Sequence, residues 1–198
     1  MKKVFFVTAS IACGKSSFMQ IAKAKGYEIC SADEIAHRIL NEKRAEIYEL
    51  FKDKISKNEL IKDEKIDRKA LGALVFKDKK ELKKLEAFLH PRIKAEILAF
   101  IRANKDTVFI EIPLFFESKN YENLGKCILI YSKKQEIIKR LMKRENIDEK
   151  EALNRLSLQM DIEEKKKMAD IVIENLSDFE NFKKNCENFF KDLENEAL

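Results

Sequence analysis

The residues with the most specific chemistry lie near the start of the chain, where Gly14-Lys15-Ser16 ends an eight-residue segment that begins at Ala9. This segment, called the phosphate loop here, fits the pattern GxxxxGK[ST] except at its first glycine. An apolar run precedes it and an amphipathic helical pattern follows, as such a loop requires. In a loop of this kind, the backbone amides and the helix N-terminus can bind a polyphosphate, the lysine can reach the β- and γ-phosphates, and the serine hydroxyl can ligate Mg²⁺. The nucleotide-binding residues predicted here are Ser10, Ile11, Ala12, Cys13, Gly14, Lys15, Ser16 and Ser17.

Three features of the loop leave alternatives open. A capped turn with a solvated lysine is the competing interpretation of the whole segment. Ala9 stands where the pattern has glycine, and we expect an unfavourable backbone geometry there, costing about 1 kcal/mol. Cys13 is interpreted as a small residue that fills a small space. The alternative is an oxidisable thiol whose pKa is lowered by the helix N-terminus.

Acidic residues follow two other strand-like runs. Asp33 comes just after residues 27–30, in the first turn of a helix for which Ser31 and Glu34 form a plausible capping box. Ligands bind along the carboxyl edge of parallel sheets, so Asp33 is predicted to accept the proton of an attacking hydroxyl. Favourable interaction with the helix dipole is the alternative. Glu111, at the end of residues 107–112, is the candidate ligand of a magnesium ion or its water, or else a solvated acid; Glu117 stays ambiguous.

A basic segment lies further along the chain. Residues 133–168 carry 11 basic and 8 acidic side chains, a net charge of +3. Arg140 and Arg144 share a helical face, and Arg155 and Gln159 repeat that spacing beyond a turn at 146–148. Two basic helices joined by a turn would form a lid that closes over a triphosphate and excludes water. A solvated amphipathic helix is the alternative, and residues 165–167 are interpreted as a solvated lysine run.

The elements that must position these residues follow from hydropathy. Continuous apolar runs predict strands buried on both faces, as in a parallel sheet; they cover residues 4–8, 27–30, 107–112, 126–131 and 169–174. Helical spacing fills most of the remainder. Residues 41–103 are too long for a simple crossover and predict a helical insertion, broken near His90-Pro91. The last helix is predicted to begin with a Ser177–Glu180 capping box.

Composition limits the class of protein. The 198 residues carry 40 basic and 35 acidic side chains, a formal charge of +5, and 45% are hydrophobic, which indicates one globular core with insertions. The early apolar run, residues 4–7, is far shorter than the roughly 20 residues of a membrane span. We therefore expect a cytoplasmic, soluble chain. Its four cysteines show no metal-ligand spacing and are expected to be free thiols.

Taken in order, the motifs resemble the dephospho-CoA kinases of coenzyme A biosynthesis nearly end to end. The matching segments are ASIACGKSS from Ala9, SADEIAHRIL from Ser31, DRKALGALVF from Asp67, LEAFLHPRI from Leu85, EIPLFFE from Glu111, RLMKRENIDEKEALNRLSLQ from Arg140 and ADIVIEN from Ala169. The family usually has glycine where this chain has Ala9, Ser10 and Ala12, and aspartate where it has Ser31.

The resemblance implies a P-loop fold with a parallel five-stranded sheet flanked by helices. Its nucleotide-binding core would comprise 1–40, 104–132 and 168–198, with a CoA-binding insertion at 41–103 and a lid at 133–167. It also implies transfer of the ATP γ-phosphoryl, with Mg²⁺, to the 3′-hydroxyl of dephospho-CoA. Asp33, Lys15, Arg140 and Arg144 would be catalytic. Asn175 would lie near the adenine, and Arg68 and His90 would contact the CoA moiety.

Two alternatives stay open at this point. A nucleoside monophosphate kinase would share the loop and lid, but the 41–103 insertion argues against it. A nucleotide-dependent switch or nucleic-acid-binding module would suit the basic charge. However, the chain has no guanine-reading Asn-Lys-x-Asp, no Asp-x-x-Gly and no Trp, and acids balance its basic stretch. We therefore expect neither a nucleic-acid nor a membrane partner, and the oligomeric state stays open.

Overall fold

A five-stranded parallel sheet, flanked by helices, organises the part of the chain that carries the phosphate loop. The computed structural model describes residues 2–118, 120–121 and 123–195. Along the chain the elements are β1 (Val4–Ala9), α1 (Lys15–Ala24), β2 (Glu28–Ser31), α2 (Ala32–Glu42), α3 (Arg44–Phe51), α4 (Lys57–Leu60), β3 (Ile61–Lys62), β4 (Lys65–Ile66), α5 (Arg68–Val75), α6 (Lys79–Ala103), β5 (Val108–Glu111), α7 (Phe115–Ser118), β6 (Lys126–Tyr131), α8 (Lys134–Glu145), α9 (Glu149–Ser157), α10 (Ile162–Met168), β7 (Ile171–Glu174) and α11 (Phe179–Glu194).

The sheet confirms the five strands and the fold class predicted from the apolar runs. Its strand order is β2-β5-β1-β6-β7, and all four pairings are parallel. The central strand β1 pairs Val7 with Glu111 of β5 and Ala9 with Ile130 of β6. This register brings the end of β5 beside the strand that leads into the phosphate loop. Ligand sites of such sheets lie at the carboxyl ends of the strands.

Aromatic side chains fill the core of this sheet unit, which comprises residues 1–31 and 103–198. Phe18 of α1 stacks on Phe190 of α11 with ring centroids 5.4 Å apart, and Phe109 of β5 contacts both rings. The start of α11 differs from the prediction. Its N-cap is Asp178, whose carboxylate accepts from the Asn181 N–H, so Ser177 and Glu180 do not form the predicted capping box. A carboxylate is as effective an N-cap as a hydroxyl.

A second unit comprises residues 32–102 and has its own apolar core, built from Leu40, Ile47, Phe51, Leu60, Ile66, Leu71, Val75 and Leu85. It begins at Ala32 rather than at residue 41 because α2 belongs to it. Leu40 lies in this core, and the Asn41 Oδ1 accepts from the Ile66 N–H. The unit also contains a β3–β4 hairpin, whose turn residues Asp63 and Glu64 have φ values of 47° and 59°. The helical pattern of 41–103 gave no sign of this hairpin.

Helix α6 runs through Pro91 without the predicted break. Proline normally disrupts a helix interior, because it lacks an N–H and its ring meets the carbonyl one turn earlier. Beside it, Arg92 holds the preceding turn: its Nη1 donates to the Phe88 carbonyl at 2.8 Å, and its guanidinium lies 3.7 Å from the Phe88 ring centroid. Pro91 itself faces solvent. Across the described residues, none of the helices is long and apolar enough to cross a membrane.

Candidate active site

The phosphate loop joins β1 to α1 and contains one strained residue. Ala9 is the last residue of β1 and has ordinary extended backbone, so the unfavourable geometry expected there is not found. It occurs instead at Ala12, whose φ of 62° lies in the left-handed region that disfavours side chains. Gly14 has a φ of 100°, and a Cβ there would lie 2.6 Å from Asn175 Nδ2. Both the backbone and the space therefore require glycine at position 14.

Three hydrogen bonds to backbone groups hold the loop. The Cys13 N–H donates to the Ser10 carbonyl at 3.3 Å, closing a turn over Ala12. Asn175 Nδ2 donates to the Cys13 carbonyl at 2.9 Å, and the Ile11 N–H donates to Gln159 Oε1 at 3.0 Å. Two of these three partners come from segments far along the chain. The loop conformation is therefore fixed by the surrounding fold as well as by its own sequence.

Lys15 and Glu111 form the central ion pair of the site. Lys15 is the first residue of α1, Glu111 ends β5, and Lys15 Nζ lies 2.7 Å from Glu111 Oε1. Both side chains keep some exposure, 15% and 19%, so a ligand can reach them. The Ser16 hydroxyl group belongs to an exposed residue and Ser17 is half-buried, whereas Ser10 is buried. The predicted lysine and carboxylate thus meet at the carboxyl edge of the sheet, and Ser16 follows Lys15 directly in α1.

The thiol in the loop belongs to the hydrophobic core of the sheet unit. Cys13 is almost completely buried, and this burial raises the pKa of its thiol to about 11. The alternative of a thiol whose pKa is lowered by the helix N-terminus is therefore wrong, because desolvation outweighs the favourable charges and hydrogen bonds around it. Burial likewise raises the pKa values of Cys127 and Cys186 to about 12. All four cysteines are free thiols, as expected.

Arg140 and Asn175 form a polar network beneath the loop. The Arg140 guanidinium donates to the Ser132 hydroxyl, to the Asn175 carbonyl and side-chain oxygens, and to the Ser177 carbonyl, at 3.1–3.3 Å. Asn175 is buried, and its Nδ2 donates to the Cys13 carbonyl. Arg144, one turn beyond Arg140, is exposed and pairs with its neighbour Glu145. The two predicted lid arginines therefore lie in different surroundings.

The segment predicted to form the lid packs directly on the loop. Helices α8 and α9 meet through Ile138, Leu141 and Ala152, and the partly buried Ile11 and Ala12 pack against this cluster. The predicted turn is present, with Asn146 in the left-handed region and Asp148 as the N-cap of α9. Arg155 pairs with Glu151 at 2.9 Å, whereas Gln159 bonds the loop.

Lys165 corrects the prediction of a solvated lysine run. Its side chain has no exposed surface, and its Nζ lies 2.9 Å from Glu117 Oε1. Lys166 and Lys167 are partly or fully exposed, as expected. Lys165 follows the buried Ile162 by three residues, so the helical period places both on one face of α10. That spacing is the signal in the sequence that marks Lys165 as inward-facing.

The remaining predicted residues lie in the second unit. Asp33 occupies the first turn of α2 and is exposed. Arg68 lines a cavity of about 670 Å³, together with Leu40, Ile66, Leu71, Phe76 and His37. His37 was missed, although it follows Asp33 by one helical turn and therefore shares its face. His90 is exposed on α6 and is not among the residues that line this cavity.

Comparison with known proteins agrees with the resemblance found in the motifs. The sequence model of the dephospho-CoA kinase family matches residues 4–181. The chain is 49% identical over 189 residues to the dephospho-CoA kinase of Campylobacter jejuni strain RM1221, covering 94% of each chain. It is 39% identical over 198 residues to that of Helicobacter pylori strain 26695, covering 98% of each.

A solved structure gives the same result for the fold. The dephospho-CoA kinase from Campylobacter jejuni superposes with a TM-score of 0.81 and 46% identity, covering 100% of both chains. The similarity extends over the phosphate loop, the sheet and the helical unit alike. From the family match, the identity and the shared fold, we conclude that this chain belongs to the dephospho-CoA kinase family.

Proposed function

We propose that the chain transfers the γ-phosphoryl group of ATP to the 3′-hydroxyl of the dephospho-CoA ribose, giving CoA and ADP. Membership of the dephospho-CoA kinase family supports the reaction. The observation that carries the proposal is the phosphate loop at the carboxyl edge of the sheet, with Lys15 and Glu111 in contact at its mouth. An ammonium group beside loop amides is the arrangement that binds a polyphosphate.

ATP would bind with its phosphates over the loop residues 10–17. Gly14 would keep the loop in its present conformation, because its φ is positive and a Cβ there would meet Asn175. Lys15 would exchange Glu111 for the β- and γ-phosphates, since two negatively charged partners compete for one ammonium group. Asn175 and Arg140 would hold the loop from beneath, as their present contacts with Cys13 and Ser132 indicate.

Magnesium fits the donors at this edge. Ser16 supplies a hydroxyl oxygen and Glu111 a carboxylate oxygen, and Mg²⁺ takes few protein oxygens because substrate phosphates and water complete its shell. Among the described residues no group of three or more His, Cys, Asp or Glu is arranged to hold a metal ion, which agrees with a site completed by the nucleotide. The bound ion would neutralise polyphosphate charge. Ser16 and Glu111 would hold it directly or through water.

The acceptor would bind to the second unit. Its cavity of about 670 Å³ offers apolar walls for an extended chain and Arg68 for a phosphate group. His37 lines this cavity one helical turn after Asp33. The acceptor's hydroxyl would therefore lie toward the face of α2 that carries Asp33, whose carboxylate orients and deprotonates it. His90, which stands outside the cavity lining, would contact the acceptor only at its periphery.

The transfer would be direct and in line, without a covalent phosphoenzyme. The transferring group needs positioning and charge stabilisation more than covalent chemistry. Arg144 is exposed and paired only locally, so it is free to turn toward the phosphates; Arg140 would contribute positive charge from its place beside Asn175. The hydrophobic packing of α8 and α9 on the loop would exclude water during transfer.

Free thiols support a reducing compartment, and we place the enzyme in the cytoplasm, where ATP is available.

The test of the reaction is a coupled ADP-release assay with ATP and Mg²⁺, comparing dephospho-CoA, AMP and no acceptor. We expect release only with dephospho-CoA, and a product heavier by one phosphoryl group. Release with AMP alone would instead identify a nucleoside monophosphate kinase.

A further inference from the structure

Gln159 contacts the phosphate loop but has no role in the chemistry proposed above. Its Oε1 accepts a hydrogen bond from the Ile11 N–H at 3.0 Å, across 148 residues of sequence. Gln159 is half-buried and follows α9 by two residues. Because Gln159 lies beyond the end of α9, the helix does not fix its position. Contacts of the segment after α9 must do so.

The loop needs such a contact because Ala12 is strained. A non-glycine residue in the left-handed region persists only where the surrounding structure fixes it. Ile11 precedes Ala12 directly, and the next backbone N–H, that of Cys13, closes the turn onto Ser10. The bond from Ile11 to Gln159 therefore fixes one side of the strained residue, as the bond from Asn175 to the Cys13 carbonyl fixes the other.

A partly buried carboxylate, Glu117, which is paired with the buried Lys165, holds the residue next to Gln159 in turn. Glu117 Oε1 accepts from the Met160 N–H at 3.0 Å and lies 2.9 Å from Lys165 Nζ. Met160 is the residue next to Gln159, and Lys165 has no exposed surface. One carboxylate oxygen thus joins α7, the segment after α9, and α10. The buried ammonium group of Lys165 is stabilised only when Glu117 lies beside it. This requirement favours the arrangement in which Glu117 also accepts from the Met160 N–H.

We propose that Gln159 is a positioning residue of the phosphate loop, held in place by the hydrogen bond from the N–H of its neighbour Met160 to Glu117. It acts through the Ile11 amide and touches neither the phosphates nor the acceptor. The role in ATP binding rests on the proposed function, whereas the effect on the loop does not. Loss of the bond would let residues 11–13 sample other conformations, so ATP binding would weaken while the affinity for the acceptor and the stability of the fold stay nearly constant.

The first test replaces the acceptor atom and keeps the shape. In Q159M we expect the Ile11 amide of the nucleotide-free chain, followed by nuclear magnetic resonance, to exchange its hydrogen roughly tenfold faster, and the Kd for ATP to rise by a similar factor. The melting temperature and the KM for dephospho-CoA should not change. L158Q is the matched control, because Leu158 is the exposed neighbour of Gln159, and it should leave all four quantities unchanged.

The second test separates the ion pair from the hydrogen bond. E117Q/K165M removes both charges but keeps an oxygen for the Met160 N–H, so Ile11 exchange should stay slow. E117L/K165M removes that oxygen as well, and Ile11 exchange should become faster. Replacement of both charges together avoids an unpaired buried ion. Equal Ile11 exchange in these two variants would overturn the role of Glu117.

The outcomes distinguish this inference from the proposed function. If Ile11 exchange and the Kd for ATP in Q159M both equal those of the unmodified chain, Gln159 does not position the loop. If the unmodified chain itself binds no ATP by calorimetry, the proposed function fails. Ile11 exchange in Q159M, measured without nucleotide, then still decides whether Gln159 holds the loop.

Discussion

Asn175 donates a hydrogen bond from its side chain to the Cys13 carbonyl, joining the end of β7 to the middle of the phosphate loop. Removal of the amide in Asn175→Ala leaves the Cys13 carbonyl without its partner and deprives Arg140 of the Asn175 side-chain oxygen as an acceptor, while the Asn175 backbone carbonyl remains. We expect the free energy of unfolding to fall by about 1–3 kcal/mol, measured by urea denaturation. Asn185→Ala is the control, because Asn185 also donates to a backbone carbonyl but is exposed. A loss equal to that of the control would contradict the role of Asn175.

The two alanines of the loop should respond to glycine in opposite ways. Ala12 has a positive φ, so Ala12→Gly removes a steric conflict and should raise the free energy of unfolding by about 0.5–1 kcal/mol. Ala9 is buried in the extended strand β1, so Ala9→Gly should lower the free energy of unfolding by about 0.5–1 kcal/mol. Urea denaturation of both variants provides the comparison. Changes of the same sign would refute the assignment of strain to Ala12.

Asp33 is expected to matter for turnover and not for nucleotide affinity. Asp33→Asn keeps the shape of the side chain but removes the base, so kcat should fall by about 10²–10⁴-fold. The Kd for ATP, measured by calorimetry, should stay within about twofold, because we place the nucleotide on other residues. Glu34→Gln provides the matched control, since Glu34 is the adjacent acid in the first turn of α2. Comparable turnover in Asp33→Asn and the control would exclude Asp33 as the base.

Stability should decline at alkaline pH because of the buried thiols. Burial raises the pKa of Cys13 from 9.0 to about 11 and that of Cys186 to about 12. The folded state therefore prefers the protonated thiol. Its contribution is fully present below pH 9 and is lost as the pH rises toward the folded pKa, because the unfolded chain releases protons first.

Each such thiol contributes a slope of up to about 1.4 kcal/mol per pH unit in that window. Urea denaturation between pH 8 and 10.5 should show the decline, and Cys186→Ala should reduce its slope by one thiol's share. Cys30→Ala provides the comparison, because Cys30 is less buried than the other three cysteines. An identical slope in Cys186→Ala and the unmodified chain would contradict this explanation.

The sequence indicated those structural features around the candidate site whose signals are local. The five strands follow from continuous apolar runs, because a strand buried on both faces needs them. Gly14, Lys15 and Ser16 follow from spacing within a few residues. The same holds for the turn at 146–148, where Asn146 tolerates the left-handed region and Asp148 caps a helix.

The errors arose where distant segments decide the outcome. Lys165 is buried because Glu117, 48 positions earlier, supplies its counter-charge, and a lysine run by itself indicates solvent. The strain at Ala12 depends on partners at 159 and 175, which no local rule locates. Pro91 stays inside α6, against the rule that proline interrupts helices. In each case the tertiary structure overrides a local preference.

Alanine at position 12 also has an entropic consequence. A methyl group narrows the range of backbone conformations that the loop can sample, whereas glycine would widen it. The strain at Ala12 therefore lowers the free energy of unfolding, and the loop is already ordered before a nucleotide binds. Preorganisation of this kind reduces the ordering cost of association. Alanine at position 12 thus lowers folding stability slightly, and in return the loop loses less conformational entropy when a nucleotide binds.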